Sequence, residues 1–410
     1  MKKTIWYYLT LILMSVCISS GALADNAASS FQEAFQKGKF SGSLRSYYFS
    51  QTFEGAGKND SGIWVNGGNL KYETASLYGL SLGANFQAST VTDKDDDDRR
   101  NAGDLDADGA VLSEAYLQYQ ISNTILKGGR QFVSLPLLSG SGSRLIKESF
   151  EAYMITNKDL PGTVVTAGWA TKYGTRTDKS SYGDNPFVQF ETNGDGDPGT
   201  FVDIGDDGMG FIYVKNSSLK DLAIQVQYAD VFDEVSAVYA DATYTFPVDL
   251  KPFIAAQCYV TDWDASARTD NDVLGFKAGL SIKDVSLFTA YTTASGSAGE
   301  TRVFRGVGQG AYNIYTATTK SSGAPAYEAG TDAYQIGAAY KYKGFDAMLR
   351  YTAFDSPVAN ADLDEYTLNL SYAFDGMLKG FSLSADYSVL DYANNANDAT
   401  DLRTRLIYSF

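Results

Sequence analysis

From residue 40 onward one pattern recurs: large apolar side chains at every second position, with small or polar ones between them. In 366–374, Tyr366, Leu368, Leu370, Tyr372 and Phe374 alternate with Thr367, Asn369, Ser371 and Ala373. In 381–389, Phe381, Leu383, Ala385, Tyr387 and Val389 alternate with Ser382, Ser384, Asp386 and Ser388. A period of two belongs to an extended strand, whose successive side chains point to opposite faces. The last run constrains the fold most: Leu402, Leu406, Tyr408 and Phe410 share one face, and Arg403, Arg405 and Ser409 the other. A strand there must be paired along both edges, and in lipid the only sheet without a free edge is a closed barrel.

The same alternation predicts strands over 40–49, 63–72, 79–90, 111–121, 124–132, 148–157, 162–172, 208–216, 222–229, 235–246, 250–261, 273–282, 284–293, 332–342, 344–353, 365–374, 380–390 and 402–410, 18 in all. An even number is what a bacterial single-chain barrel requires, so the expected fold is all-β, a transmembrane antiparallel barrel. Connections after even-numbered strands are short and those after odd-numbered strands mostly long, the turn at 230–234 being the exception. This alternation gathers tight turns such as Lys343-Gly344 at one end, expected to be periplasmic with both termini, and long loops at the other. Tyr and Phe are plentiful at 29 and 23 residues, which suits interfacial girdles and a polar-walled channel. A propeller or β-helix is the soluble alternative, but no blade repeat is visible.

The start of the chain reads as a signal peptide over 1–24: Lys2 and Lys3, an apolar stretch from Ile5 to Val16, then Ala22-Leu23-Ala24 before Asp25. Cys17 follows Val16 rather than a small residue, which argues against a lipid-modified cysteine. The mature chain then holds one cysteine, Cys258, and no internal disulfide. Residues 25–39 form a periplasmic N-terminal segment ahead of the 40–410 barrel; Phe31, Ala34 and Phe35 have helical spacing and are expected to pack on or plug the rim, or to remain a mobile leader.

The net charge is −16 and becomes more negative once Lys2 and Lys3 are removed, which excludes nucleic acid as a natural partner. There is no histidine, so Ser-His-Asp and Cys-His catalysis, histidine-ligated haem and the usual zinc sites are excluded. The expected protein is not an enzyme and has no cofactor beyond a possible calcium in its outer loops.

A pore needs positioned charge where it narrows, and the stretch from Gly129 to Lys147 supplies it. Val133-Ser134-Leu135-Pro136-Leu137-Leu138 can wedge against the wall, and the Ser139, Ser141 and Ser143 run can lie close to a constriction without bulk. Arg130 and Arg144 would present forked donors to a carboxylate. An exposed loop with ordinary surface arginines is the alternative.

Gly42-Ser43-Leu44-Arg45-Ser46-Tyr47-Tyr48-Phe49, Gly129-Arg130-Gln131, Ser141-Gly142-Ser143-Arg144-Leu145 leading to Phe150-Glu151, and the terminal Phe410 together resemble the OprD-like family of outer-membrane porins. The resemblance implies a monomeric-channel fold of 18 strands whose third outward loop folds into the pore; the assembly is expected to be a monomer or a loose trimer. It also implies passive diffusion of small carboxylate-bearing solutes along an arginine-lined wall, with Arg130 and Arg144 at the constriction and Arg45 beside them.

Strand parity independently puts Lys277, Lys341, Arg350, Arg403 and Arg405 on the water-facing side, since a charge facing lipid costs about 2–4 kcal/mol near the midplane. Pairing with Glu114, Asp346 or Asp386 would make some of them structural instead. Asp104, Asp106 and Asp108 before Gly109 have the spacing of half a calcium loop, but Ala115 stands where the closing glutamate belongs. The acid-rich loops could equally be solvated or bridge to lipopolysaccharide. They set a tension, because they repel anions that a basic constriction favours, unless the solute also carries a positive group. Two other readings stay open: an interaction barrel binding a partner through loops 173–207 and 294–331, and a sheath for an electron-transfer partner that brings its own haem.

Overall fold

In the computed structural model, which describes residues 27–55, 60–95, 105–177 and 197–410, the chain forms a single antiparallel barrel of 18 strands. The strands are β1 (Lys39–Phe53), β2 (Ser61–Glu73), β3 (Leu80–Lys94), β4 (Gly109–Ile121), β5 (Thr124–Gln131), β6 (Ser149–Asn157), β7 (Thr163–Gly174), β8 (Met209–Asn216), β9 (Leu222–Val231), β10 (Val235–Thr245), β11 (Phe253–Trp263), β12 (Asp272–Ile282), β13 (Val285–Ala294), β14 (Asp332–Tyr342), β15 (Phe345–Asp355), β16 (Leu363–Ala373), β17 (Phe381–Tyr392) and β18 (Ala399–Ser409). Each predicted strand is present, with ends shifted by a few residues. The signal-peptide reading of 1–24 lies outside the described residues.

Every strand pairs with its neighbours in sequence, and the first meets the last: Ser43 lies opposite Ser409 and Phe53 opposite Ala399. No edge is left, as the terminal alternation requires. On β1 the odd residues Tyr47 and Phe49 are buried inside, and the even residues Leu44 and Tyr48 are exposed on the outer face. On β18 Asp401 and Arg403 are buried and Leu406 is exposed. Most strands run 8–15 residues, enough to cross a bilayer at a tilt. The two-residue turn Lys343-Gly344 has φ of 45° and 81°, the left-handed pair that matches strand twist.

Aromatic side chains ring the outer face near the short turns, with Phe381 against Tyr408 (4.6 Å), Tyr408 against Phe410 (6.1 Å) and Phe40 against Tyr72 (4.6 Å). A helix α1 (Phe31–Gln36) docks on this rim: the Ala75 N–H donates to the Ala34 carbonyl and the Tyr72 hydroxyl to the Phe35 carbonyl.

The apolar core lies inside the lumen, where two loops meet. The loop 132–148 carries a small hairpin, Ser134-Leu135 paired with Leu138-Ser139, and Leu137 and Leu138 are fully buried. The loop 295–331 also turns inward, burying Val303, Phe304, Val307, Ile314 and Tyr327. This corrects the expectation of an outward-projecting 294–331 loop available to a partner. Its apolar side chains have no sheet face to join, so they leave water by filling the barrel. The two loops pair through backbone: Ser139 N–H to Val307 O at 3.0 Å and Val307 N–H to Leu137 O at 3.0 Å. Gly306, at φ 111°, permits the approach, since a Cβ there would sit 2.5 Å from the Leu137 carbonyl oxygen.

Candidate functional site

Between these loops and the wall lies a series of cations on the lumenal face: Arg350 on β15, Arg403 and Arg405 on β18, Arg45 on β1, Lys71 on β2 and Lys127 on β5. Cross-strand register sets Tyr47 beside Arg405 and Phe49 beside Arg403. Three guanidinium groups converge on the Phe49 ring, Arg405 at 5.0 Å, Arg144 at 5.2 Å and Arg403 at 5.3 Å from its centroid. The ring's electron-rich faces tolerate that density of charge better than an aliphatic side chain would.

Carboxylates offset part of it. Asp401 lies between Arg403 (2.7 Å) and Lys320 (3.2 Å), and Asp386 takes Arg405 at 2.5 Å. Buried Glu114 is shared by Lys71 (3.5 Å) and Lys127 (4.0 Å). Arg45 and Arg350 differ, because they donate to neutral oxygens. Arg45 reaches the Leu145 carbonyl (2.9 Å), Ser43 (2.8 Å) and Asn69 (3.2 Å). Arg350 reaches the Ala317 carbonyl (2.8 Å), Thr319 (2.7 Å) and Asn369 (3.0 Å). Lys277 stacks over Phe288 at 4.6 Å, and Lys147 over Phe132 at 4.5 Å. Among the described residues neither Arg45 nor Arg350 is in a direct ion pair, although Glu365 and Asp386 act on Arg350 through space. On the loops, burial pushes the Lys147 and Lys320 ammonium groups below the usual lysine range, with nearby Glu114 and Asp401 respectively opposing the shift.

The loops are held by two buried carboxylates that sequence alone does not single out. Glu148 accepts from the backbone N–H groups of Ser141 (2.8 Å) and Gln309 (3.0 Å) and lies 3.0 Å from Arg176, so it ties three loops together. Glu365 on β16 accepts from the N–H groups of Lys320 (2.8 Å) and Ser321 (3.1 Å) and from the Ser321 hydroxyl (2.7 Å).

Several predicted site residues fall elsewhere. Arg130 is opposite Ala115 and Glu151 in register, on the other face from lumenal Tyr116 and Phe150, which face inward with Gly129 and Gln131. Its Nε meets Glu151 at 3.0 Å and its guanidinium stacks on Phe201 at 3.9 Å, so it is a wall pair rather than a constriction donor. Ser139 is buried by the loop pairing. The Ser141 and Ser143 hydroxyls bond each other at 3.0 Å, and Arg144 donates to Ser143 at 3.2 Å, so these serines position an arginine. Lys341 keeps the inward parity of Ala333 and Gln335 on β14 but pairs with Asp346 at 3.6 Å.

Of the calcium candidates, Asp104 lies outside the described residues, Asp106 is buried and Asp108 exposed. The chain around them turns into the lumen, where Leu105 and Ala107 pack with Leu145 and Ile146. Among the described residues no three His, Cys, Asp or Glu side chains are grouped to hold a metal ion.

Residues 33–410 match the sequence model of a family described as outer membrane porin, OprD family. No curated protein matches the chain. Similar solved structures include OccAB1 of Acinetobacter baumannii, with a TM-score of 0.75 and 16% identity over 92% of this chain and 97% of that one. OccK9 (OpdG) of Pseudomonas aeruginosa gives 0.74 and 20% over 92% and 99%. OpdK of Pseudomonas aeruginosa, in a structure with vanillate, gives 0.71 and 16% over 92% and 99%. At these identities the likeness is one of fold.

Proposed function

The chain belongs to the OprD family of outer membrane porins, and from that premise we propose that the solutes it passes are small, hydrophilic and carboxylate-bearing: amino acids, organic acids or small peptides. It is a non-enzymatic diffusion channel of the outer membrane. The observation that carries the solute class is the positive charge left at Arg45 and Arg350, whose hydrogen bonds go only to neutral oxygens. A passing carboxylate can exchange with such acceptors, donor by donor, without breaking an ion pair. Arg144, Arg403 and Arg405 around Phe49 extend the path as a staircase of shallow sites, which favours transit over retention. That OpdK has been crystallised with vanillate, itself a carboxylate, agrees with this reading. We place the short turns and both termini on the periplasmic side, following the general plan of such barrels.

The test is reversal potential under a salt gradient in planar bilayers, with carboxylates as the permeant anions. The intact channel is expected to prefer anions. Arg45→Gln and Arg350→Gln should each lower the anion-to-cation ratio several-fold, as loss of about 1 kcal/mol of attraction implies. Ratios unchanged in both variants would sink the proposal.

A further inference from the structure

The N-terminal helix neither enters the lumen nor caps it. The Ser30 hydroxyl accepts from the Glu33 N–H at 3.2 Å, and the Glu33 carboxylate accepts from the Ser29 N–H at 2.6 Å and pairs with Lys37 at 2.6 Å, so a short helix is fixed at both ends. Ala34 is its buried contact with the barrel. One turn apart on another face, Phe31 and Phe35 are 66% and 50% exposed, unusual for phenylalanine in an ordered helix.

The barrel wall decides where that face points. Phe35 stacks on Tyr72 at 6.3 Å, and Tyr72 meets Phe40 in a tilted contact at 4.6 Å. Phe40 has the parity of Leu44 and Tyr48 on β1, all three exposed on the outer face, and half-buried Tyr72 has that of exposed Leu70 on β2. The inward positions beside them hold Lys71, Glu73 and Ser43 instead. Phe35 thus lies on the lipid side of the rim, continuous with the girdle that includes Tyr408 and Phe410. Tyr78, in the turn against which the helix docks, is 73% exposed beside it.

We propose that α1 is an interfacial anchor, lying in the headgroup–acyl boundary of the leaflet at the short-turn end with Phe31 and Phe35 inserted among the lipid chains. The occupant of this apolar face is phospholipid. Continuity with the lipid-facing belt argues for it, and phenyl rings on one face with Gln32 and Gln36 on another is the pattern of a helix lying in the interface plane. The proposal rests on the membrane location of the barrel and not on its solute.

Spin labels placed singly at positions 31, 32, 35 and 36 of the full chain, in a Cys17→Ser, Cys258→Ser background reconstituted into phospholipid vesicles, test it. Labels at 31 and 35 should be relaxed more by dissolved oxygen than by a water-soluble nickel chelate, and labels at 32 and 36 should show the reverse. A label at Leu383 on the outer wall reports barrel insertion, so a misplaced helix is distinguishable from a barrel outside the membrane. If label 35 disturbs the stack on Tyr72, the contrast between 31 and 32 alone decides. Nickel-favoured relaxation at both 31 and 35, with Leu383 oxygen-favoured, would overturn the anchor.

Discussion

Lys147 and Lys320, on the lumenal loops, should contribute to the channel's response to pH. Burial holds both below the usual lysine value of 10.5, so as pH rises they lose their proton before a free lysine would, and each loss removes a positive charge from the lumen. Anion preference should therefore start to fall at pH values below that range and level off above zero, because the arginines stay charged. Lys320→Arg should move part of the fall to higher pH; reversal potentials at stepped pH would show it. At this scale the sequence was legible wherever one face of a strand was apolar, and parity then put Lys277, Lys341, Arg350, Arg403 and Arg405 inside, while Arg45 came from the family resemblance. It failed at Arg130 and Gln131, which are adjacent and both polar, so alternation gives no vote on which points inward. Glu148 was invisible for a different reason: its partner Gln309 is 161 residues away, and no local pattern marks a carboxylate whose donors come from other loops.

Among elements, the paired loops 132–148 and 295–331 behave as one insert whose anchor is Glu148. Glu148→Ala strips two backbone N–H groups of their acceptor and leaves the side chain of buried Arg176 without this carboxylate, a change that costs about 3–5 kcal/mol when a buried pair is broken. The strands should survive it while the insert loosens. The expected outcome is noisier open-channel current and faster proteolysis within 295–331, with heat-modifiable gel mobility retained. Undiminished noise-free conductance would mean that the apolar packing of Leu137, Leu138 and Val307 holds the loops unaided. The strands could be read from the sequence because a period of two survives without any tertiary information. The route of 295–331 could not, since its buried residues follow no period, and only the density of Val, Phe, Ile and Tyr within a supposed outer loop hinted that it was a core.

The molecule as a whole sets an acidic outer rim against a lumen in which arginines and lysines are interleaved with carboxylates. A net charge of −16 coexists with the lumenal arginines proposed to guide anions, and exposed aspartates such as Asp95, Asp206, Asp207, Asp233, Asp264 and Asp270 stand at the long-loop end. Exposed charges are screened over about 10 Å at 0.1 M salt, whereas enclosed ones are screened far less. Raising ionic strength from low values should then weaken the repelling mouth before the attracting wall, and anion selectivity should rise before it falls; a purely basic pore would show only the fall. The seam at which Ser43 meets Ser409 governs a different matter, the order of events in making the protein. Each of the other joints in the wall links strands adjacent in the chain and can form as they appear, but this one waits for the final residues. Until they arrive the first strand has an unsatisfied side, and a copy that stops before Ala399 is not a smaller pore but an open sheet with two reactive edges.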